Sequence, residues 1–76
     1  HAAATLRDAT VARLRSRLAL PRDAAVETVA AAVSTRTGRP APDVAGLLAG
    51  PAPPDDTALV RLADALDTLE QEARTQ

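Results

Sequence analysis

All three glycines and five of the six prolines of this 76-residue chain fall between Thr37 and Asp56. Gly38, Pro40, Pro42, Gly46, Gly50, Pro51, Pro53 and Pro54 leave no room in that stretch for an element longer than about two or three turns. Gly38 suits the position just past a helix ending near Thr37, because glycine adopts the left-handed backbone without a Cβ clash. Pro42 suits the first turn of a short helix, where its missing N–H has no partner to lose, and Gly50 stops that helix. Val44, Leu47 and Leu48 give the short helix one apolar side. Pro51-Ala52-Pro53-Pro54 forms a stiff extended spacer, and Asp55 or Asp56 caps a final helix. So short a third helix cannot stand alone and must pack on its neighbours.

The flanking segments keep a helical period throughout. From about Ala2 to Leu20, Ala3, Ala4, Val11, Leu14 and Leu18 share one stripe, with Leu6 and Thr10 on its flank. Arg7 falls near the middle of that stripe. Either the first turns project beyond the domain, or the Arg7 stem lies on the core and its head reaches outward. Pro21 ends the segment, since the residue before a proline is pushed out of the α region. A second helix is expected from about Asp23 to Thr37, begun by Arg22 or Asp23 and burying Val26, Val29, Ala30 and Val33. In the last helix Leu59, Leu62, Ala63, Leu66, Leu69 and Ala73 follow the spacing of three and four, and Glu70 and Arg74 form a favourable i,i+4 pair. No segment alternates with period two. The prediction is an all-α chain, residues 1–76 forming one small four-helix bundle with a short third helix. Leu14, Leu18, Val29, Val33, Leu47, Leu48, Leu62, Leu66 and Leu69 should converge in its core.

Ten Leu, six Val and nineteen Ala supply the apolar material, and there is no aromatic residue. A chain of this size buries only about 60% of its unfolded surface. Modest stability follows, and the chain reads as part of something larger rather than as a self-sufficient enzyme. Phe, Tyr, Met, Ile, Asn and Lys are absent, and all nine basic residues are Arg. AT-rich codons specify those six types, so the gap points to a GC-rich genome. With no Cys there is neither a disulfide framework nor a thiolate site. No apolar run reaches the length of a membrane span, and no signal peptide is visible.

Charge is divided unevenly along the chain. Residues 1–39 hold seven Arg against three acids, and residues 40–76 hold two Arg against seven acids. The basic first helix is therefore expected beside the acidic last one, with Arg13, Arg15 or Arg17 approaching Asp64, Asp67 or Glu72.

Catalytic chemistry has little to draw on. His1, the sole histidine, sits at the first position and is not expected to take part. Ser16 and Ser34 have no histidine to activate them. Asp64, Asp67 and Glu70 occupy adjoining turns but lack the loop oxygens of a calcium site and the histidines of a zinc site, so a solvated helix face is expected. Asp55-Asp56 reads as a cap. No enzyme activity, cofactor, metal or small-molecule substrate is expected. The rhythm from Val29 through Gly50 to Leu66 also matches a helix-turn-helix, which leaves a degenerate nucleic-acid-binding domain as the alternative. Its recognition helix would present Pro42, Asp43, Val44, Ala45, Gly46, Leu47, Leu48 and Ala49, with no Arg, Asn, Gln or Ser to read a base. Nucleic acid is accordingly not the expected partner.

Several short blocks carry a resemblance: Leu18-Ala19-Leu20-Pro21, Thr37-Gly38-Arg39-Pro40, Leu47-Leu48-Ala49-Gly50 with Pro51-Ala52-Pro53-Pro54-Asp55-Asp56, Leu59-Val60-Arg61-Leu62-Ala63 and Leu66-Asp67-Thr68-Leu69-Glu70. Together they resemble the C-terminal region of the domain of unknown function 4350 family, membrane proteins of GC-rich Gram-positive bacteria. The resemblance implies a helical tail following a transmembrane helix on the cytoplasmic side of the cell membrane, mediating protein–protein interaction or assembly. It also implies a partner encoded nearby, a MoxR-type AAA+ ATPase or its companion proteins. Arg7, Arg13, Arg15 and Arg17 crowd the first helix, as the positive-inside rule expects beside a cytoplasmic membrane face. They form the candidate membrane-facing or partner surface, and Asp64, Asp67 and Glu70 form the candidate acidic partner surface.

Overall fold

The punctuation between Thr37 and Asp56 is realised as two abrupt helix stops around one short helix. The computed structural model describes residues 2–75; His1 lies outside the described residues. Its elements are α1 (Ala2–Arg17), α2 (Val26–Thr37), α3 (Ala41–Ala49) and α4 (Asp56–Thr75), with no strand among the described residues. The chain is an all-α, small four-helix bundle whose third helix has nine residues.

α1 ends earlier than Pro21 alone requires. Ala19 adopts a left-handed backbone at φ 57°, the Leu20 N–H reaches back to the Arg15 carbonyl at 2.8 Å, and the Ala19 N–H donates to Ser16 at 3.2 Å. That paired closure takes up the Arg15 and Ser16 carbonyls in the last turn of the helix. It also places an alanine where glycine is the usual choice.

α2 begins at Val26, three residues later than Asp23. Pro21 opens a turn in which the Ala24 N–H donates to the Pro21 carbonyl at 3.1 Å, so the intervening residues are held out of the helix. At its far end Gly38 sits at φ 80° and donates to the Ser34 carbonyl. Pro40 occupies the cap position of α3, and Pro42 lies in its first turn as expected. Asp55 is the cap of α4, its Oδ1 accepting the Ala58 N–H at 2.8 Å.

α2 and α3 make the closest pair, and α1 lies along α4. Their shared core holds Leu14, Val29, Val33, Leu48, Leu62, Leu66 and Leu69, as expected, and also Val11, Ala30, Val44 and Ala73. Leu18 and Leu47 stay half-buried at its margin. Two polar residues are buried with them, Thr10 and Glu70. Among the described residues no buried side-chain nitrogen or oxygen lacks a hydrogen-bond partner.

Candidate functional site

At about 100° per residue, the arginines of one helix point wherever their spacing sends them. Arg15 stands about 80° around α1 from Arg7, and Arg13 about 120° the other way. Each of the three therefore meets a different element. Half-buried Arg7 reaches the end of α3: its Nε donates to the Leu47 carbonyl at 3.0 Å, and its Nη1 to the Gly50 and Pro51 carbonyls at 2.7 and 3.1 Å. Neither projection of the first turns nor a head reaching into water describes it. The guanidinium caps α3, a cation at the negative end of a helix dipole. Gly50 has no room for a side chain, because a Cβ there would run into the Gly46 carbonyl oxygen and lie in contact with the Arg7 guanidinium.

Arg13 meets α4. Its Nη2 lies 2.7 Å from Glu70 Oε1, and its Nε donates to both carboxylate oxygens at 3.1 and 3.0 Å. Glu70 is only 7% exposed, so this acid belongs to the interface between α1 and α4 and not to a solvated face. Hydrogen bonding from Arg13 holds the Glu70 carboxyl below the ordinary glutamate value of 4.5, against the opposing pull of burial. The buried Thr10 hydroxyl and the charge of Arg74 add to the lowering. The same hydrogen bond raises the Arg13 guanidinium.

Arg15 turns to the connector between α1 and α2. Its Nε and Nη2 both donate to the Ala24 carbonyl, at 3.0 and 2.6 Å. Arg17 is exposed and makes no hydrogen bond or ion pair among the described residues. Of the four arginines of the basic surface, three are thus engaged inside the molecule.

The expected neighbourhood of basic α1 and acidic α4 exists, with Glu70 as the acid that pairs. Glu72 is taken instead by Arg39, which sequence reasoning passed over. The Arg39 Nε lies 2.6 Å from Glu72 Oε1, and its Nη2 donates to Oε2 at 2.9 Å. That bond lowers the Glu72 carboxyl and raises the Arg39 guanidinium. Asp64 and Asp67 remain on the exposed side of α4. The three carboxylates named from the sequence therefore do not converge, and among the described residues no cluster of acids or histidines is arranged to hold a metal ion.

α3 buries Val44 and Leu48 and exposes Pro42, Asp43, Gly46 and Ala49. None of its side chains can donate a hydrogen bond to a base edge or phosphate. A cleft of about 540 Å³ opens beside the last turns of α1 and the connector after it, lined by Ala12, Arg15, Ser16, Leu20 and Arg22.

Over 72 residues, 95% of its length, the chain is 42% identical to an uncharacterised membrane protein, Rv3691, of Mycobacterium tuberculosis. It spans 19% of that protein's length. No protein-family profile matches the chain, and no solved structure does. Among the described residues no helix is long and apolar enough to cross a membrane. The chain is thus similar to a segment of a membrane protein and folds, over the described residues, as helices too short or too polar to span a bilayer.

Proposed function

We propose that this chain is an extramembrane helical part of a larger membrane protein, held on the cytoplasmic side and acting by protein–protein contact without catalysis. The observation that carries the reading is the 42% identity with a membrane protein across 95% of the chain. The finer reading, a tail of the domain of unknown function 4350 type following a transmembrane helix, rests on the sequence blocks that carry that resemblance.

The outer side of α4 is the docking face in this reading. Asp64 and Asp67 are exposed there and make no ion pair among the described residues, whereas Glu70 and Glu72 are bound to Arg13 and Arg39. Unpaired carboxylates on a rigid helix steer a basic surface and fix its register more than they add raw affinity. The proposed partner is the MoxR-type AAA+ ATPase that the family resemblance implies, or one of its companions.

Titration of the chain with that ATPase from the same genome tests the reading. Binding should weaken with added salt and be lost in the Asp64→Arg, Asp67→Arg double variant. Absence of binding, or binding indifferent to the charge reversal, would overturn the assignment of this face. The nucleic-acid alternative has no supporting donor on α3, and a gel-shift titration at low salt should show no shift.

A further inference from the structure

We propose that the cleft between the last turn of α1 and the following connector binds a phosphate group. Its lining combines two cations, a hydroxyl and an apolar floor: Arg15, Arg22, Ser16, Leu20 and Ala12. Arg15 is already fixed in place, because Nε and Nη2 grip the Ala24 carbonyl at 3.0 and 2.6 Å. A guanidinium carries five N–H donors, so those on Nη1 stay available and are pre-oriented at no further entropic cost. Arg22 and the Ser16 side chain are exposed and have no partner among the described residues.

The free fork of Arg22, the remaining donors of Arg15 and a hydroxyl suit a group that offers several acceptor oxygens at once, and phosphate does so. No carboxylate lines the cleft; Asp23 neighbours Arg22 in the chain, and Asp8 lies one turn before Ala12 on α1. Leu20, half-buried, and Ala12 form a surface on which the carbon substituent of a phosphate ester can rest. Such a group has two sources, a phospholipid headgroup or a soluble phosphate. The lipid source rests on the proposed placement of the chain beside a membrane; the phosphate chemistry does not.

NMR titration of the isotope-labelled chain with inorganic phosphate, against chloride at matched ionic strength, tests the site. Saturable shifts are expected at Ser16, Leu20 and Arg22. Arg22→Ala and Ser16→Ala should each weaken binding roughly tenfold, the loss that follows from one charge-assisted hydrogen bond. Arg36→Ala, exposed on α2 outside the cleft, should leave it unchanged. Flotation with phosphatidylglycerol and phosphatidylcholine vesicles separates the sources. Binding to the anionic vesicles that Arg22→Ala reduces identifies the lipid headgroup. Saturable phosphate binding without flotation identifies a soluble phosphate. Non-saturable shifts that chloride reproduces, or equal binding by wild type and Arg22→Ala, would overturn the site. The α4 docking face would be untouched by that result, because Asp64 and Asp67 lie on a different helix.

Discussion

Glu70 pairs with Arg13 inside the α1–α4 interface, and its ionised form is therefore bound more tightly in the folded chain than in the unfolded one. Glu70 and Glu72 both titrate below the ordinary value of 4.5 when folded. The stability each adds is complete above the unfolded value and is lost as pH falls through the lower folded one. Wild type should thus lose stability on acidification below about pH 4.5, and Glu70→Gln should show a flatter profile over the same window, read by urea unfolding at several pH values. Ala19 offers a second test at this scale, since its left-handed backbone costs an L-residue about 1–2 kcal/mol and costs glycine almost nothing. Ala19→Gly should raise stability by about 0.5–1 kcal/mol in thermal unfolding, net of the freedom glycine adds to the unfolded chain. How far single residues were legible differs between these cases. The apolar stripe already marked Arg7 as out of place, but naming its acceptors needs the end of α3, some 40 residues away. Glu70 gave a similar sign, standing four residues after Leu66 and three before Ala73 on the apolar stripe of α4, but its partner can be named only once α1 is laid against it.

The four helices and the shortness of α3 were readable because glycine and proline act locally, through φ and the missing N–H. Helix ends were less so. α1 stops at Arg17 and α2 starts at Val26 because the connector closes on itself and Arg15 holds the Ala24 carbonyl, contacts that no propensity records. α3 depends on such outside help more than any other element. Arg7 serves the Leu47 carbonyl in its last turn and those of Gly50 and Pro51 just beyond, and a Cβ on Gly50 would run into the Gly46 carbonyl oxygen. Gly50→Ala should therefore destabilise the chain by about 1–3 kcal/mol, in the range typical of overpacking, although its φ of −75° suits alanine. Hydrogen exchange should show the loss first in α3 and the residues just after it. Protection changes spread evenly over all four helices would place the strain elsewhere.

The bundle as a whole closes around one cluster to which every helix contributes. Leu66→Ala and Leu48→Ala should each cost about 2–5 kcal/mol, measured by thermal unfolding, because each empties a site that is at most 3% exposed. Around that core the charges are sorted by use. Arg7, Arg13, Arg15 and Arg39 bind the elements to one another, while Asp64, Asp67, Arg17 and Arg22 are left at the surface. The uneven distribution of charge was visible in the sequence; which charges are spent internally was not, because that depends on the helix pairing. The functional account follows from the division: the unspent Asp64 and Asp67 face a protein partner, while Arg22 and the Nη1 donors that Arg15 keeps free line the phosphate cleft. Urea unfolding of Arg7→Ala, Arg13→Ala and Arg17→Ala tests it most directly. Arg7→Ala and Arg13→Ala should each lose about 1–3 kcal/mol, through unserved carbonyls in one and an unpaired buried carboxylate in the other. Arg17→Ala should stay within about 0.5 kcal/mol of wild type. Three variants of equal stability would contradict the account, for then the arginines of α1 would form one solvated surface and not the ties of the bundle.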